Sequence, residues 1–186
     1  MDHWIALRSG KRFYYEHPEA DSIDLDDIAH SLSLQCRFAG QVEVHWSVAQ
    51  HSLLVADMVP PHLRLQALLH DATEAYVVDL PSPLKHLLPA YRDYEALAWK
   101  AICQRFDLPQ ELDPLVKEAD QMACVYEHFA LFPHPSYWDY YPKPDALETA
   151  KWVKRIVSEA SEGTWIEKVE AKYHAAVRDA LAARTP

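Results

Sequence analysis

The stretch Leu68-Leu69-His70-Asp71-Ala72-Thr73-Glu74-Ala75 places an adjacent His-Asp pair after an apolar run, with a glutamate one helical turn later. On a helix, Glu74 lies at i+4 from His70 and at i+3 from Asp71, so the three side chains share one face. An imidazole beside a carboxylate can bind a divalent metal, and a nearby carboxylate can take a proton from water that the metal activates. A lone His-Asp pair is more often a buried histidine with its carboxylate partner. The interpretation therefore depends on whether the rest of the chain supplies further ligands.

The composition favours one helical domain and argues against several functional classes. The chain has 186 residues, 49% of them hydrophobic, which suits a single core. Its three glycines form neither a GxGxxG nor a P-loop motif, and its thirteen prolines stand between the periodic segments, as is typical of a mainly helical protein. The net charge is −10 and no basic run of five or more residues occurs. We therefore expect neither DNA nor RNA as a partner, because phosphate binding needs clustered cations.

The cysteines and the chain start indicate the compartment. Cys36, Cys103 and Cys124 are widely spaced and form no CxxC pair, which is typical of reduced thiols in a cytosolic protein. The first residues lack the basic and apolar regions of a signal peptide, and no apolar run approaches the ~20 residues of a membrane span. We expect a cytoplasmic protein that has no membrane partner.

Hydrophobic periodicity predicts an all-α fold in a single domain, 1–186. Residues 1–22 form an irregular arm with a short extended pair, residues 23–130 form the core that carries the motifs, and residues 131–186 form a loop and closing helices. The aromatic loop 132–142 could be a lid or a packed loop. The predicted helices run from the cap Asp24 to the stop Gly40, from Val44 to Val59, from Pro61 to Glu74, from Tyr91 to Phe106, from Leu115 to Phe129, from Ala146 to Ser158 and, after the separator Gly163, from Thr164 to Ala183.

Two further residues complete a candidate metal site with His70 and Asp71. His51 lies in the second predicted helix and Asp120 in the helix after Pro114, and packed helices can bring such side chains to one point. Each has a simpler interpretation by itself, His51 as a core histidine and Asp120 as a surface acid. Together, two imidazoles and two carboxylates form a mixed site that suits Mn²⁺, Co²⁺, Fe²⁺, Ni²⁺ or Zn²⁺ and leaves positions open for water and substrate.

The order and spacing of four segments carry a family resemblance over roughly residues 8 to 130. The segments are Ser47-Val48-Ala49-Gln50-His51-Ser52, His70-Asp71-Ala72-Thr73-Glu74, Asp79-Leu80-Pro81-Ser82-Pro83-Leu84-Lys85 and Lys117-Glu118-Ala119-Asp120, with Asp27-Ile28-Ala29-His30-Ser31-Leu32-Ser33 upstream. This pattern resembles the HD-domain metal-dependent phosphohydrolase superfamily. Within it, the pattern is most similar to the YfbR-like 5′-deoxynucleotidases and the phage-type dATP/dNTP triphosphohydrolases.

The resemblance implies an HD-domain helical bundle and a role for each matching residue. The implied metal ligands are His51, His70, Asp71 and Asp120. The implied catalytic residues are Glu74 and Asp79. The implied substrate contacts are Arg37 and Lys85 on phosphate and Phe38 beside the sugar or base, where the bacterial nucleotidases have tryptophan. The implied cofactor is a divalent transition metal, with Mg²⁺ as a further cation for triphosphate substrates.

Physical chemistry is consistent with these roles, although the substrate residues have alternatives. A phosphoester is a multiply charged anion, which a metal, Arg37 and Lys85 can offset. Arg37 could instead cap the end of its helix, and Lys85 could be a solvated surface side chain. Asp79 could cap the turn that follows it. Core packing and base stacking explain Phe38 equally well.

The sequence therefore leads to one main functional hypothesis and one alternative from another class. The main hypothesis is a metal-dependent deoxynucleotide phosphohydrolase, either a dNTP triphosphohydrolase or a 5′-deoxynucleotidase, with a nucleotide as its partner. The alternative is a non-catalytic HD-fold module that binds nucleotides or acts as a scaffold. A cyclic-dinucleotide phosphodiesterase would need further histidines and a GYP signature, which are absent. The resemblance also implies a homo-oligomer, a dimer or larger, for which the 132–142 loop is a candidate interface.

Overall fold

The computed structural model describes residues 2–135, 143, 145–161 and 166–184, and over these the chain is predominantly helical. The helical fold class is thus confirmed. Most of the aromatic loop (136–142) and the separator Gly163 lie outside the described residues. No helix in the described ranges has the length and apolarity needed to cross a membrane.

The elements follow one another with short connections. The helices are α1 Leu25–Leu34, α2 Val48–Met58, α3 Arg64–Leu69, α4 Glu74–Val77, α5 Ser82–Leu87, α6 Pro89–Phe106, α7 Pro114–Leu131, α8 Ala146–Ser161 and α9 Ile166–Ala182. Two short strands, β1 Trp4–Ala6 and β2 Arg12–Tyr14, form an antiparallel hairpin in which Ile5 pairs with Phe13. Short 3₁₀ turns occupy Ala20–Ser22, Phe38–Gly40 and Pro61–Leu63.

The N-terminal arm packs against α4, next to the His-Asp motif. Phe13 is buried, and its ring stacks on Tyr76 with 4.3 Å between ring centroids. The Tyr15 hydroxyl donates to the Tyr76 carbonyl at 3.2 Å. The expected extended pair is therefore present, and it supports α4 from one side.

Helix α1 starts where the sequence predicts and ends earlier. Asp24 caps it by accepting the Asp26 N–H at 3.0 Å. The predicted continuation to Gly40 is wrong, because the chain becomes extended at Gln35 and turns back towards the segment before α2. The Arg37 N–H donates to the Trp46 carbonyl at 2.8 Å. This turn places Arg37 in the interior rather than on a helix.

Helix α2 begins at Val48, four residues later than the predicted Val44. Ser47 and Gln50 form a capping box, in which each side chain satisfies the other's backbone N–H. Every residue of α2 from Val48 to Ala56 is buried. The helix is the centre of the fold, with α1, α3, α7 and α9 packed around it.

The predicted continuous helix from Pro61 to Glu74 is also wrong, because a turn at residues 70–73 separates α3 from α4. The Leu68 carbonyl, which would accept the Ala72 N–H in a continuing α-helix, instead accepts the hydroxyl of Tyr173 in α9 at 2.7 Å. The Ala72 N–H donates to Leu69 instead, at 3.0 Å. A long-range hydrogen bond thus ends α3 at the His-Asp motif.

Candidate metal centre

Four side chains from three parts of the chain meet at one point. The cluster consists of His51 from α2, His70 and Asp71 from the turn after α3, and Asp120 from α7, and one ligand atom from each lies within 4.8 Å of the others. His51 Nε2 lies 3.0 Å from Asp120 Oδ1 and 3.6 Å from Asp71 Oδ2. His70 Nε2 lies 3.2 Å from Asp71 Oδ2 and 3.6 Å from Asp120 Oδ1. The structure thus brings together all four residues of the expected ligand set.

Hydrogen bonds on the far side of each imidazole orient its Nε2 towards the cluster. His51 Nδ1 donates to Glu127 Oε1 at 2.8 Å, and His70 Nδ1 donates to the Ala67 carbonyl at 2.7 Å. With the proton on Nδ1, each ring presents the lone pair of Nε2 to the centre, as a metal ligand must. His70 Nε2 is buried and has no hydrogen-bond partner among the described residues. A cluster of two nitrogen and two oxygen ligands with such an unsatisfied atom could hold a metal ion.

The charges of the cluster shift the pKa values of its own members. Burial lowers the pKa of His70, but the carboxylates of Asp71 and Asp120 outweigh it and leave the pKa well above the ordinary 6.5. For His51, burial and the charge of Arg37 lower the pKa, but the carboxylates of Glu127 and Asp120 raise it by more. Burial raises the pKa of Asp71, but the neighbouring His70 brings it down to about 2. The raised pKa values favour protonated imidazoles, so protons and a metal ion compete for the same nitrogen atoms.

A cavity of about 430 Å³ lies next to the cluster. Both aspartates of the cluster reach its wall, while the two histidines lie behind it. The remaining residues that the sequence predicts for catalysis and substrate binding all line this cavity, namely Arg37, Phe38, Glu74, Asp79 and Lys85.

The two candidate catalytic carboxylates differ in their surroundings. Glu74 is buried in the first turn of α4, and its Oε2 has no hydrogen-bond partner among the described residues. Burial, with the nearby Asp71 and Asp79, raises the pKa of Glu74 well above its ordinary value. Burial also raises the pKa of Asp79, against the opposing charge of Arg37. The Asp79 side chain caps no turn in the described structure, and its N–H donates to Gln35 Oε1 at 3.1 Å.

The two candidate phosphate contacts are held in place by acidic partners. Arg37 Nε donates to Glu127 Oε2 at 2.9 Å, and its Nη1 lies 3.7 Å from Asp71 Oδ2. The guanidinium is buried and does not cap α1, so the capping alternative is wrong. Lys85 Nζ donates to Glu95 Oε1 at 2.8 Å and lies 4.0 Å from Glu74 Oε1. Its side chain is half-buried, so a fully solvated lysine is also wrong.

Phe38 lies at a strained position on the cavity wall. Its φ of 57° is left-handed, as is the φ of 51° at Ala39, which is uncommon for residues other than glycine. The Phe38 ring meets Phe132 edge-on, with 5.2 Å between centroids, and the Arg37 guanidinium lies 5.2 Å from it. The side chain therefore both packs against a neighbour and faces the cavity.

Glu127 connects the cluster to the cavity, and the sequence interpretation missed it. Its fully buried carboxylate accepts hydrogen bonds from His51 Nδ1 at 2.8 Å, Trp46 Nε1 at 2.8 Å and Arg37 Nε at 2.9 Å. One signal could have revealed it. Glu127 interrupts an apolar segment of α7 and lies seven residues, two helical turns, after Asp120 on the same face.

Comparison with known proteins places the chain in a family. It is 44% identical over 124 residues to the uncharacterized protein YfdR of Escherichia coli (strain K12), an alignment that covers 67% of this chain and 70% of YfdR. The chain belongs to the YfdR family. This YfdR-family chain is also 34% identical over 130 residues to the uncharacterized protein RCAP_rcc00048 of Rhodobacter capsulatus, covering 64% of the chain and 66% of that protein. No family model matches the chain.

Proposed function

We propose that this YfdR-family protein is an HD-type, metal-dependent phosphohydrolase that acts on deoxynucleotides, as a dNTP triphosphohydrolase or a 5′-deoxynucleotidase. One observation carries the proposal: the two-histidine, two-aspartate cluster borders a cavity that also contains two cationic side chains and two further acids. A metal site with open positions, beside groups that can bind phosphate and move protons, suits phosphoester hydrolysis.

The negative charge of the cavity must be offset before an anionic substrate can bind. Four carboxylates, those of Asp71, Glu74, Asp79 and Asp120, face two cations, Arg37 and Lys85, which gives a formal charge of −4 + 2 = −2 with all six groups ionised. A divalent cation would bring that charge to zero, and so would protonated His51 and His70 in the metal-free protein. Arg37 and Lys85 could then bind a phosphate.

The side chains have distinct chemical tasks in this proposal. His51, His70, Asp71 and Asp120 would hold a divalent metal, which would supply a Lewis acid able to lower the pKa of water from ~15.7 towards ~7. Glu74, buried and with an unsatisfied oxygen, accepts the proton of the attacking water.

The substrate is held by residues on the other walls of the cavity. Arg37 presents the outer nitrogens of its guanidinium to phosphate oxygens, while Nε stays bound to Glu127. Lys85 adds a second positive charge, Asp79 orients the water, and Phe38 offers an aromatic surface to the sugar or base.

Phosphate release from a panel of dNMPs and dNTPs, with the transition metals varied and with and without Mg²⁺, tests the function. We expect activity in metal-loaded protein and none after chelation. Retention of bound metal and nucleotide without phosphate release from any substrate would contradict the proposal and favour a binding module.

Two variants test the assignment of roles. Asp71→Ala should lose both metal and turnover, because it removes a ligand. Glu74→Gln should keep the metal and lose turnover by ~10²–10⁴-fold, because it removes only the proton acceptor. Glu118→Gln, at an exposed position of α7, is the matched control. Full hydrolysis by metal-free Asp71→Ala, or unchanged turnover in Glu74→Gln, would overturn the respective role.

A further inference from the structure

The side chain of Gln35 joins the two ends of the segment that carries both candidate catalytic acids. Gln35 directly follows α1 and is half-buried. Its Nε2 donates to the Glu74 carbonyl at 2.9 Å, and its Oε1 accepts the Asp79 N–H at 3.1 Å. Glu74 and Asp79 are the first and last residues of the segment 74–79, so one amide group bridges all of it. We name this pair of hydrogen bonds the Gln35 clamp.

The clamp uses both chemical functions of the amide. The Glu74 carbonyl needs a donor and the Asp79 N–H needs an acceptor, and a glutamine side chain offers one group of each kind. These two partners also fix the orientation of the amide, because the reversed orientation would place oxygen against the carbonyl and NH₂ against the N–H. The Nε2 atom donates in addition to Ser31 Oγ at 3.0 Å, one turn earlier in α1. The side chain is therefore held on the α1 side as well.

The segment that the clamp spans contains a strained residue. Val78, directly before Asp79, has a φ of 73°, and such a conformation persists in a residue other than glycine only where the surrounding structure holds it. The Val78 N–H donates at 3.0 Å to the Glu74 carbonyl, the same oxygen that accepts from Gln35. The clamp thus fixes the backbone on both sides of Val78, and Asp79 with it.

We propose that Gln35 is a positioning residue, whose amide fixes the placement of Glu74 and Asp79 relative to each other at the wall of the cavity. Glu74 and Asp79 line the cavity, whereas Gln35 does not, so Gln35 acts through the backbone of these two residues. Its effect on turnover rests on the proposed function, but its effect on the backbone does not. A displacement of about 1 Å at a catalytic group can cost ~10²-fold in rate.

Gln35→Met tests the clamp, because it removes both hydrogen bonds and keeps the length of the side chain. We expect the Asp79 amide hydrogen to exchange with solvent at least about tenfold faster, as measured by NMR on the full chain. We also expect kcat to fall by ~10²-fold. KM and metal affinity should not change, because other partners hold Arg37 and the two ligand histidines.

Gln35→Glu is a second variant, which stays polar and keeps an acceptor but cannot donate when ionised. It should also lower kcat, because the hydrogen bond to the Glu74 carbonyl is lost. Full kcat in this variant would show that the donor half of the clamp has no part in positioning.

Gln66 offers a matched control, because its amide makes the same pair of hydrogen bonds to residues that do not line the cavity. Its Nε2 donates to the Glu111 carbonyl at 3.0 Å, and its Oε1 accepts the Asp113 N–H at 2.9 Å. Gln66→Met therefore loses the same two hydrogen bonds. It should lower Tm, as a structural amide would, and leave kcat unchanged.

Hydrogen exchange and turnover together separate this proposal from the proposed function. Unchanged exchange at Asp79 in Gln35→Met would overturn the clamp, whether or not the protein is an enzyme. Unchanged kcat in Gln35→Met, a rise in KM alone, or an equal fall of kcat in Gln66→Met would overturn the positioning role and leave the proposed function standing. Absence of hydrolysis by the unmodified protein would overturn the proposed function and the role in turnover, while the exchange result would still decide whether the clamp exists.

Discussion

Glu127 shows how much of the site depends on a single buried side chain. Its two oxygens accept hydrogen bonds from three donors that belong to a metal-ligand candidate, a cavity arginine and a core tryptophan. A glutamine at this position would carry no charge and would have only one oxygen to accept with. Its NH₂ group would face a donor, so that at least one of the three hydrogen bonds is lost.

We expect Glu127→Gln to lower metal affinity by ~10–100-fold, the usual effect of losing the partner that orients a ligand histidine. Competition with a chromogenic chelator measures the affinity without reference to activity. Glu118→Gln on the same helix should leave the affinity unchanged. An unaltered affinity in Glu127→Gln would show that the hydrogen bond to His51 does not support metal binding.

The protonation of the cluster predicts how pH acts on stability. His51 and His70 have raised pKa values in the metal-free protein, so their stabilising effect is complete below the ordinary pKa of ~6.5 and is lost as pH rises through the higher folded values. Glu74, whose pKa is also raised, adds to this loss as pH increases. Asp71, with its pKa lowered to about 2, stabilises the fold above its ordinary value and loses that effect only in strong acid.

A bound metal replaces those protons, so its stabilising effect should grow with pH. We expect the difference in Tm between metal-loaded and metal-free protein to widen from about pH 6 to about pH 8. Thermal unfolding with and without metal across this range measures the difference. A constant or shrinking difference would mean that metal and protons do not compete at the cluster.

Some residues of the site can be predicted from their neighbours in the sequence, and others only from contacts with distant parts of the chain. His70, Asp71 and Glu74 are close in sequence, so spacing predicts that they share one face, whereas the metal site was predicted only once His51 and Asp120 were added. Glu127 differs because its role depends on contacts with His51, 76 residues away, and with Arg37, 90 residues away. Nothing local distinguishes it from an ordinary helix glutamate except its apolar neighbours.

Among the elements, helix positions were predictable from periodicity, whereas several ends were not. The start of α1 follows from the cap Asp24, a local signal. The end of α3 depends on Tyr173, which follows Leu68 by 105 residues and donates a hydrogen bond from its hydroxyl to the Leu68 carbonyl. The late start of α2 had a local signal in Ser47 and Gln50, which the apolar pattern from Val44 concealed.

The end of α4 is strained at Val78. Its φ of 73° and ψ of 151° lie in a region that is essentially restricted to glycine and costs other residues about 1–3 kcal/mol. Its carbonyl accepts the Tyr91 hydroxyl at 2.6 Å, which holds the backbone in this conformation directly before Asp79.

We expect Val78→Gly to raise Tm by about 2–4 °C, because the relieved strain exceeds the added entropy of the unfolded chain. Val78→Ala is the matched control, since it also removes the branched side chain but keeps the Cβ that causes the strain. It should produce no increase. Equal Tm changes in the two variants, measured by calorimetry, would place the effect in the side chain rather than in the backbone.

At the scale of the whole molecule, the last helix completes a site to which it contributes no ligand. Helix α9 packs against α1, α2 and α3, and its Tyr173 and Val177 are fully buried. The cavity and cluster residues all lie between Arg37 and Phe132. Their positions nevertheless depend on helices that α9 supports.

A chain that ends after Ser161 should therefore lose cooperative unfolding and metal binding together. A chain that ends after Ala182 keeps the whole of α9 and is the control. Thermal unfolding followed by circular dichroism, with metal content measured on the same samples, tests both properties. Metal binding at full affinity by the shorter chain would show that residues 1–161 hold the cluster unaided.

The formal charge of −2 in the cavity has a kinetic consequence for the proposed enzyme. Nucleotide and metal would bind in either order, since protonated imidazoles in the metal-free protein offset this charge as a divalent metal does. Raising the nucleotide concentration could then not compensate for scarce metal, and chelation would act as a non-competitive inhibitor. Turnover in the cell would follow the free metal concentration first and the nucleotide pool second.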